Sequence, residues 1–180
     1  MKFSFVIVAS LVATSSAYII AATASSTIQL ILDDMTKTGK QFTKINDAVN
    51  NFPQSGIQGA AEIHNHETKM HTLFEDMTTA LNALPKPVSA ANVKKIIDAY
   101  QSFIPAAIQS VNDIAAKAAD FEALPAAAPS IKNDLITSNA ICGNFNGGLQ
   151  SLTPPALLNT LATMVSAIEV ARDNALAAFS

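Results

Sequence analysis

Beyond residue 25 the apolar positions fall into five runs with helical spacing, the first four closed by proline or glycine. Ile28, Ile31, Met35, Phe42, Ile45, Val49 and Phe52 share one helical face, which predicts a first helix over roughly residues 26–51. Ser25 or Ser26 is placed to cap its start, and Pro53 and Gly56 end it. The second run, Ala60, Ile63, Glu67, Met70, Phe74, Met77, Leu81 and Leu84, stops at Pro85 and Pro87. A third helix, capped by Ser89, carries Val93, Ile97, Tyr100, Ile104, Ala107, Val111, Ile114, Ala118 and Phe121. Pro105 removes one backbone donor inside it, so a kink is expected there, while the unbroken phase argues for continuity to Phe121.

Pro125 and Pro129 bracket a short alanine-rich connection, after which Ile131, Leu135, Ser138, Cys142, Phe145 and Leu149 form the fourth stripe. Gly143, Gly147 and Gly148 each weaken it by about 1 kcal/mol relative to alanine, so fraying or bending is expected near 144–148. The fifth helix is expected to open with Thr153 as cap and Pro154 at its first position. Leu157, Leu161, Met164, Ile168, Ala175 and Phe179 give it an apolar face. No alternating β-branched run competes for a sheet. The predicted fold is all-α, a single five-helix bundle, mostly antiparallel because the links are short, with crossings near about 20°.

The segment before the bundle sets the compartment. Lys2 gives a positive start, Phe3 to Ala13 an apolar stretch, and Ser15-Ser16-Ala17 a small-residue cleavage pattern. This reads as a signal peptide over residues 1–17, with Ala22-Thr23-Ala24 as a later alternative and residues 25–180 as the mature bundle. A retained anchor is the rival reading, disfavoured because serine and threonine interrupt a run that would need about 20 predominantly apolar residues. No other segment suits a bilayer, and the closing Ala-Ala-Phe-Ser carries no lipid-anchor signal. A secreted, freely released protein is expected, with cell-wall association as the variant.

Composition narrows the partners. Forty-nine per cent hydrophobic residues in a 180-residue chain are ample for one continuous core. Eleven basic against 14 acidic residues, with no basic run longer than Lys94-Lys95 and no interleaved aromatics, argue against nucleic acid. The single cysteine, Cys142, excludes an intramolecular disulfide and reads as a small buried apolar residue.

Candidate chemistry is sparse. His64, Glu67 and His71 could present two imidazoles and a carboxylate on one helix face, with His66 adjacent. That spacing is not the zinc-protease pattern, and it reads more simply as surface polar residues in which Glu67 bonds His71. No nucleophile elbow or phosphate loop occurs, so no enzyme activity, catalytic residue, metal or cofactor is expected. Thr38, Glu67, Tyr100 and Ser138 interrupt apolar stripes. They either bond within their own helix or face the bundle edge, or they mark the polar end of a ligand cavity.

The stretch Ile45-Asn46-Asp47-Ala48-Val49, the segment AAIQSVNDIAAKAADFEALP and the closing run PALLNTLATMVSAIEVARDNALAAF, behind the leader, resemble the fungal hydrophobic-surface-binding and cell-wall mannoprotein family. The resemblance spans essentially the mature chain and lies in hydrophobic spacing. It implies a five-helix bundle whose elongated apolar central cavity holds long-chain fatty acids, without a catalytic centre. The Ser/Thr-rich stalk and lipid anchor common in that family are missing here, which favours free release over wall attachment.

The resulting expectation is a secreted, non-enzymatic protein that carries fatty acids or similar lipids; the alternative is adsorption to hydrophobic surfaces or the cell wall. By position in the stripes, Phe74, Met77, Tyr100, Ile104, Ser138, Phe145, Leu161 and Met164 are the candidate ligand-binding residues. The lipid carboxylate is expected on neutral donors such as Ser138, because the stripes as read contain no lysine or arginine and Arg172 merely lies near one.

Overall fold

The computed structural model describes residues 6–179, with side chains from residue 24 onward; the leader expected over residues 1–17 lies outside the described side chains. Among the described residues the elements are α1 (Val6–Asn51), α2 (Gly56–Ala83), α3 (Ala90–Ala116), α4 (Ala118–Glu122), α5 (Ala127–Leu152) and α6 (Pro155–Ala178). The regular structure of the described residues is all helical, as expected, with six helices where five were expected: five long and one short.

Helix ends follow local chemistry. Gly56 adopts φ +58°, a left-handed conformation that a side chain would strain, and this turns the chain from α1 into α2. The Ser89 hydroxyl accepts from Asn92 N–H at 3.3 Å and caps α3, as its sequence position predicts. Three local expectations change. Ser25 and Ser26 lie inside α1 rather than at its start. Pro154 is the residue that precedes α6, with Pro155 first in the helix, while the Thr153 hydroxyl donates back to Leu149 O at 2.7 Å and closes α5. The third stripe is interrupted at Lys117 (φ −104°, ψ 10°), not at Pro105, which sits within α3. Lys117 Nζ donates to Phe52 O at the end of α1, and the turn of α4 lays Phe121 on Phe52 with ring centroids 4.1 Å apart. Tying the chain to α1 at this point costs helical continuity and gains a stacked aromatic pair worth about 0.5–1.5 kcal/mol. α5 runs unbroken through its glycines.

The long helices form a closed circuit. α1 packs on α2 and α3, α2 on α5, α3 on α6, and α6 meets α5 along a thinner seam. Directions differ from the expected antiparallel order. Phe42 meets Phe103, and Asn46 meets Ala106 and Ser110, so α1 and α3 run parallel. His64 meets Asp134, His71 meets Ser138 and Phe74 meets Phe145, so α2 and α5 also run parallel. The short links do reverse the chain from α1 to α2 and from α5 to α6, but helices α2 and α3, also joined by a short link, are not principal packing partners. The thin seam has a local cause: α6 places Ala162 and Ser166 where bulkier side chains would close it against α5.

One continuous core runs through all the elements. Phe103 is its hub, 5.7 Å from Phe42, 6.3 Å from Phe74 and 5.3 Å from Tyr100, and Phe145 lies 5.4 Å from Phe74 and 5.5 Å from Tyr100. These rings occupy the space where α1, α2, α3 and α5 converge, the region the resemblance assigns to an elongated cavity.

Candidate functional site

All eight predicted binding residues, Phe74, Met77, Tyr100, Ile104, Ser138, Phe145, Leu161 and Met164, are buried in this core. Phe74, Tyr100 and Phe145 are brought into mutual ring contact through α2, α3 and α5. Of the eight, Leu161 lines an open cleft, a volume of about 340 Å³ along the α5–α6 seam. Asn146, Gln150, Leu158, Ala162, Val165 and Glu169 are among its other walls. That volume is at the lower end of the range typical of small-molecule sites. A second cleft of about 530 Å³ lies between the 24–32 stretch of α1 and the α2–α3 link, with Lys86 and Lys95 on its rim.

Beside the aromatic cluster sits a polar one. Ser138 Oγ lies 2.9 Å from His71 Nε2 and 3.3 Å from Glu67 Oε2. A neutral His71 carrying its proton on Nε2 donates to the hydroxyl, which donates on to the carboxylate. Burial lowers the His71 pKa from its ordinary value, with the His64 and Arg172 charges acting in the same direction, and this favours the neutral ring. Burial is also the main cause that pushes Glu67 up to about 7, with Asp134 adding to it and the Ser138 bond, Arg172 and His64 opposing. Asp134, buried on α5, sits 2.8 Å from His64 Nδ1; burial raises its pKa against that bond.

These positions correct the surface reading of the histidine face. Glu67 and His71 are buried, their closest approach is 3.7 Å with Ser138 bonded to both, and only His64 reaches solvent substantially. Burial follows from register, because Glu67 holds an apolar-stripe position on α2. His66 points elsewhere, toward Gln41 on α1 at 3.0 Å. Among the described residues no group of three or more His, Cys, Asp or Glu is arranged to hold a metal ion.

The polar interruptions divide in two. Thr38 bonds its own helix, donating to Asp34 O at 2.8 Å. Tyr100 and Ser138 bond across the bundle, Tyr100 Oη donating to Asn146 Oδ1 at 2.9 Å. Burial raises the Tyr100 pKa, so the phenol remains a donor. Cys142 is buried as expected, and burial lifts its thiol to about 11.

Four residues of this region escaped the stripes: Phe103, Asp134, Asn146 and Arg172. Arg172 is only 4% exposed, so the expectation that no arginine belongs to a stripe is wrong. It falls four residues after Ile168 and three before Ala175, in register with the apolar face of α6. Asp134 stands likewise three residues after Ile131. Register was the available signal in both cases, and charge masked it.

A circuit of helices around an aromatic core, with a buried polar cluster and an open seam between two of them, defines an all-α helical bundle. The chain belongs to the hydrophobic surface binding protein A family, whose sequence profile matches residues 28–140. No curated protein sequence matches it. Among solved structures, the crystal structure of AfMP4p in complex with palmitic acid matches with a TM-score of 0.76 at 20% identity, covering 85% of this chain and 99% of that one. Ligand binding domain 1 of the Penicillium marneffei MP1 protein, complexed with arachidonic acids, matches with a TM-score of 0.75 at 14% identity, covering 86% and 99%. At these identities the likeness establishes the shared fold.

Proposed function

We propose that the protein is a secreted, non-enzymatic carrier of long-chain fatty acids, taken in through the α5–α6 seam and held against the core. The observation that carries this reading is the seam itself, a cleft that begins at the surface and has the core residue Leu161 in its wall. Two proteins of the same fold bind palmitic and arachidonic acids, which supports it. An acyl chain gains about 0.8 kcal/mol for each methylene it buries, so space for a long chain selects length more than chemistry. An elongated cavity would form as the rings of Tyr100 and Phe145 yield to the chain. In this reading residues 1–17, or as far as 24, are a leader and 25–180 the carrier.

Titration of delipidated protein with a naturally fluorescent polyunsaturated fatty acid, competed by palmitate, tests the proposal. One saturable site per chain is expected. Ala162→Trp, which fills the seam, should weaken binding about tenfold or more while helicity is unchanged. Unsaturable uptake that is indifferent to this change would instead favour adsorption at hydrophobic surfaces, the activity in the family's name.

A further inference from the structure

Arg172 is the buried charge that the bundle leaves without an ionic partner. Nη1 donates to Asn139 Oδ1 at 3.2 Å and the guanidinium lies beside the Cys142 thiol, but Nε is buried with no hydrogen-bond partner. Among the described residues no carboxylate lies within ion-pair distance of it. The other buried ionisable groups are provided for: Asp134 has His64, and Glu67 has Ser138. A guanidinium is a rigid fork suited to a planar carboxylate, and a buried one faced by an amide and a thiol is incompletely satisfied.

Its location joins it to the seam. On α6 it follows Glu169 by one turn and Val165 by two; on α5 its partner Asn139 and its neighbour Cys142 precede Asn146 by two turns and one. Glu169, Val165 and Asn146 all line the cleft, so Arg172 stands next in antiparallel register at one end. From Arg172 to Leu158, at the opposite end, α6 advances about 21 Å at 1.5 Å per residue, the reach of an extended long acyl chain.

We propose that Arg172 is the receptor for the carboxylate of a single-chain fatty acid whose tail lies along the α5–α6 seam toward Leu158. This rests on the carrier reading above and replaces the neutral-donor anchor expected from the stripes. Arg172 also supplies the positive charge that a carboxylate needs in a region containing Glu67, Asp134 and Glu169.

The test compares palmitate with 1-hexadecanol, equal in chain length and uncharged, on the delipidated full chain at neutral pH by calorimetry. Palmitate is expected to bind about tenfold tighter or more, the worth of a charge-assisted hydrogen bond. In Arg172→Met the preference should vanish, with hexadecanol affinity unchanged and melting temperature equal or higher. Arg172→Lys should retain part of it. Equal binding of acid and alcohol by the native chain, or an undiminished preference in Arg172→Met, overturns the assignment while leaving the carrier reading intact. Binding of neither lipid removes both. The acid and alcohol comparison on the native chain decides even if the variants fail to fold.

Discussion

Glu67 shows how burial and charge compete at a single residue. Its neutral form is favoured in the fold, so its pKa rises from an ordinary 4.5 to about 7. The stability associated with the neutral form is fully present below pH 4.5, and is lost progressively as pH climbs toward 7, because the unfolded chain releases the proton first. The full shift corresponds to something on the order of 3 kcal/mol. His71 acts oppositely, since its lowered pKa means stability is lost as pH falls below its ordinary value of 6.5. Glu67→Gln isolates the first effect: denaturant melts should show the variant gaining stability over the native chain between pH 5 and pH 8. A constant difference across that range would place Glu67 in a more solvated setting. The sequence placed Glu67 and Ser138 at stripe positions but could not say which polar residues meet across helices. Arg172 and Asp134 were hidden for a different reason: both hold stripe register, and a charged side chain there is read as solvent-facing until a partner or its burial is seen.

At the level of elements, all five long helices were legible from apolar spacing and the prolines and glycines between them. Ser89 was legible to the residue, because a serine hydroxyl in front of an apolar stripe has a backbone N–H to accept from. The break at Lys117 was not, since it arises from a contact with Phe52, 65 residues away in sequence. Packing direction was also out of reach: short links dictate that consecutive helices reverse, not that they touch. α5 offers a direct test of the balance between local propensity and fold. A Cβ at Gly143 or Gly147 would meet nothing within 4 Å, and both sit in regular helix. Changing both to alanine should therefore raise stability by about 1–2 kcal/mol in chemical denaturation. A loss would show that α5 needs its glycines for a bend.

For the whole molecule, the circuit of helices is unevenly sealed. Two of its contacts, α1 with α3 and α2 with α5, carry aromatic or polar pairs in the interior, whereas α5 and α6 leave a cleft beside the small side chains Ala162 and Ser166. Among the described residues no helix is long and apolar enough to cross a membrane. The exposed large apolar residues, Leu30, Ile57, Ile136 and Val170, lie on four different stretches of the chain, so adsorption to a hydrophobic surface would also draw on residues now turned inward. The measurement that tests carriage most directly is native mass spectrometry of the protein recovered from the medium of a secreting host. The expected spectrum shows a chain shortened at Ala17 or Ala24 that carries one lipid of a few hundred daltons and exchanges it one-for-one for added palmitate. A spectrum that stays free of lipid after palmitate challenge, from protein that is folded and helical, would contradict it.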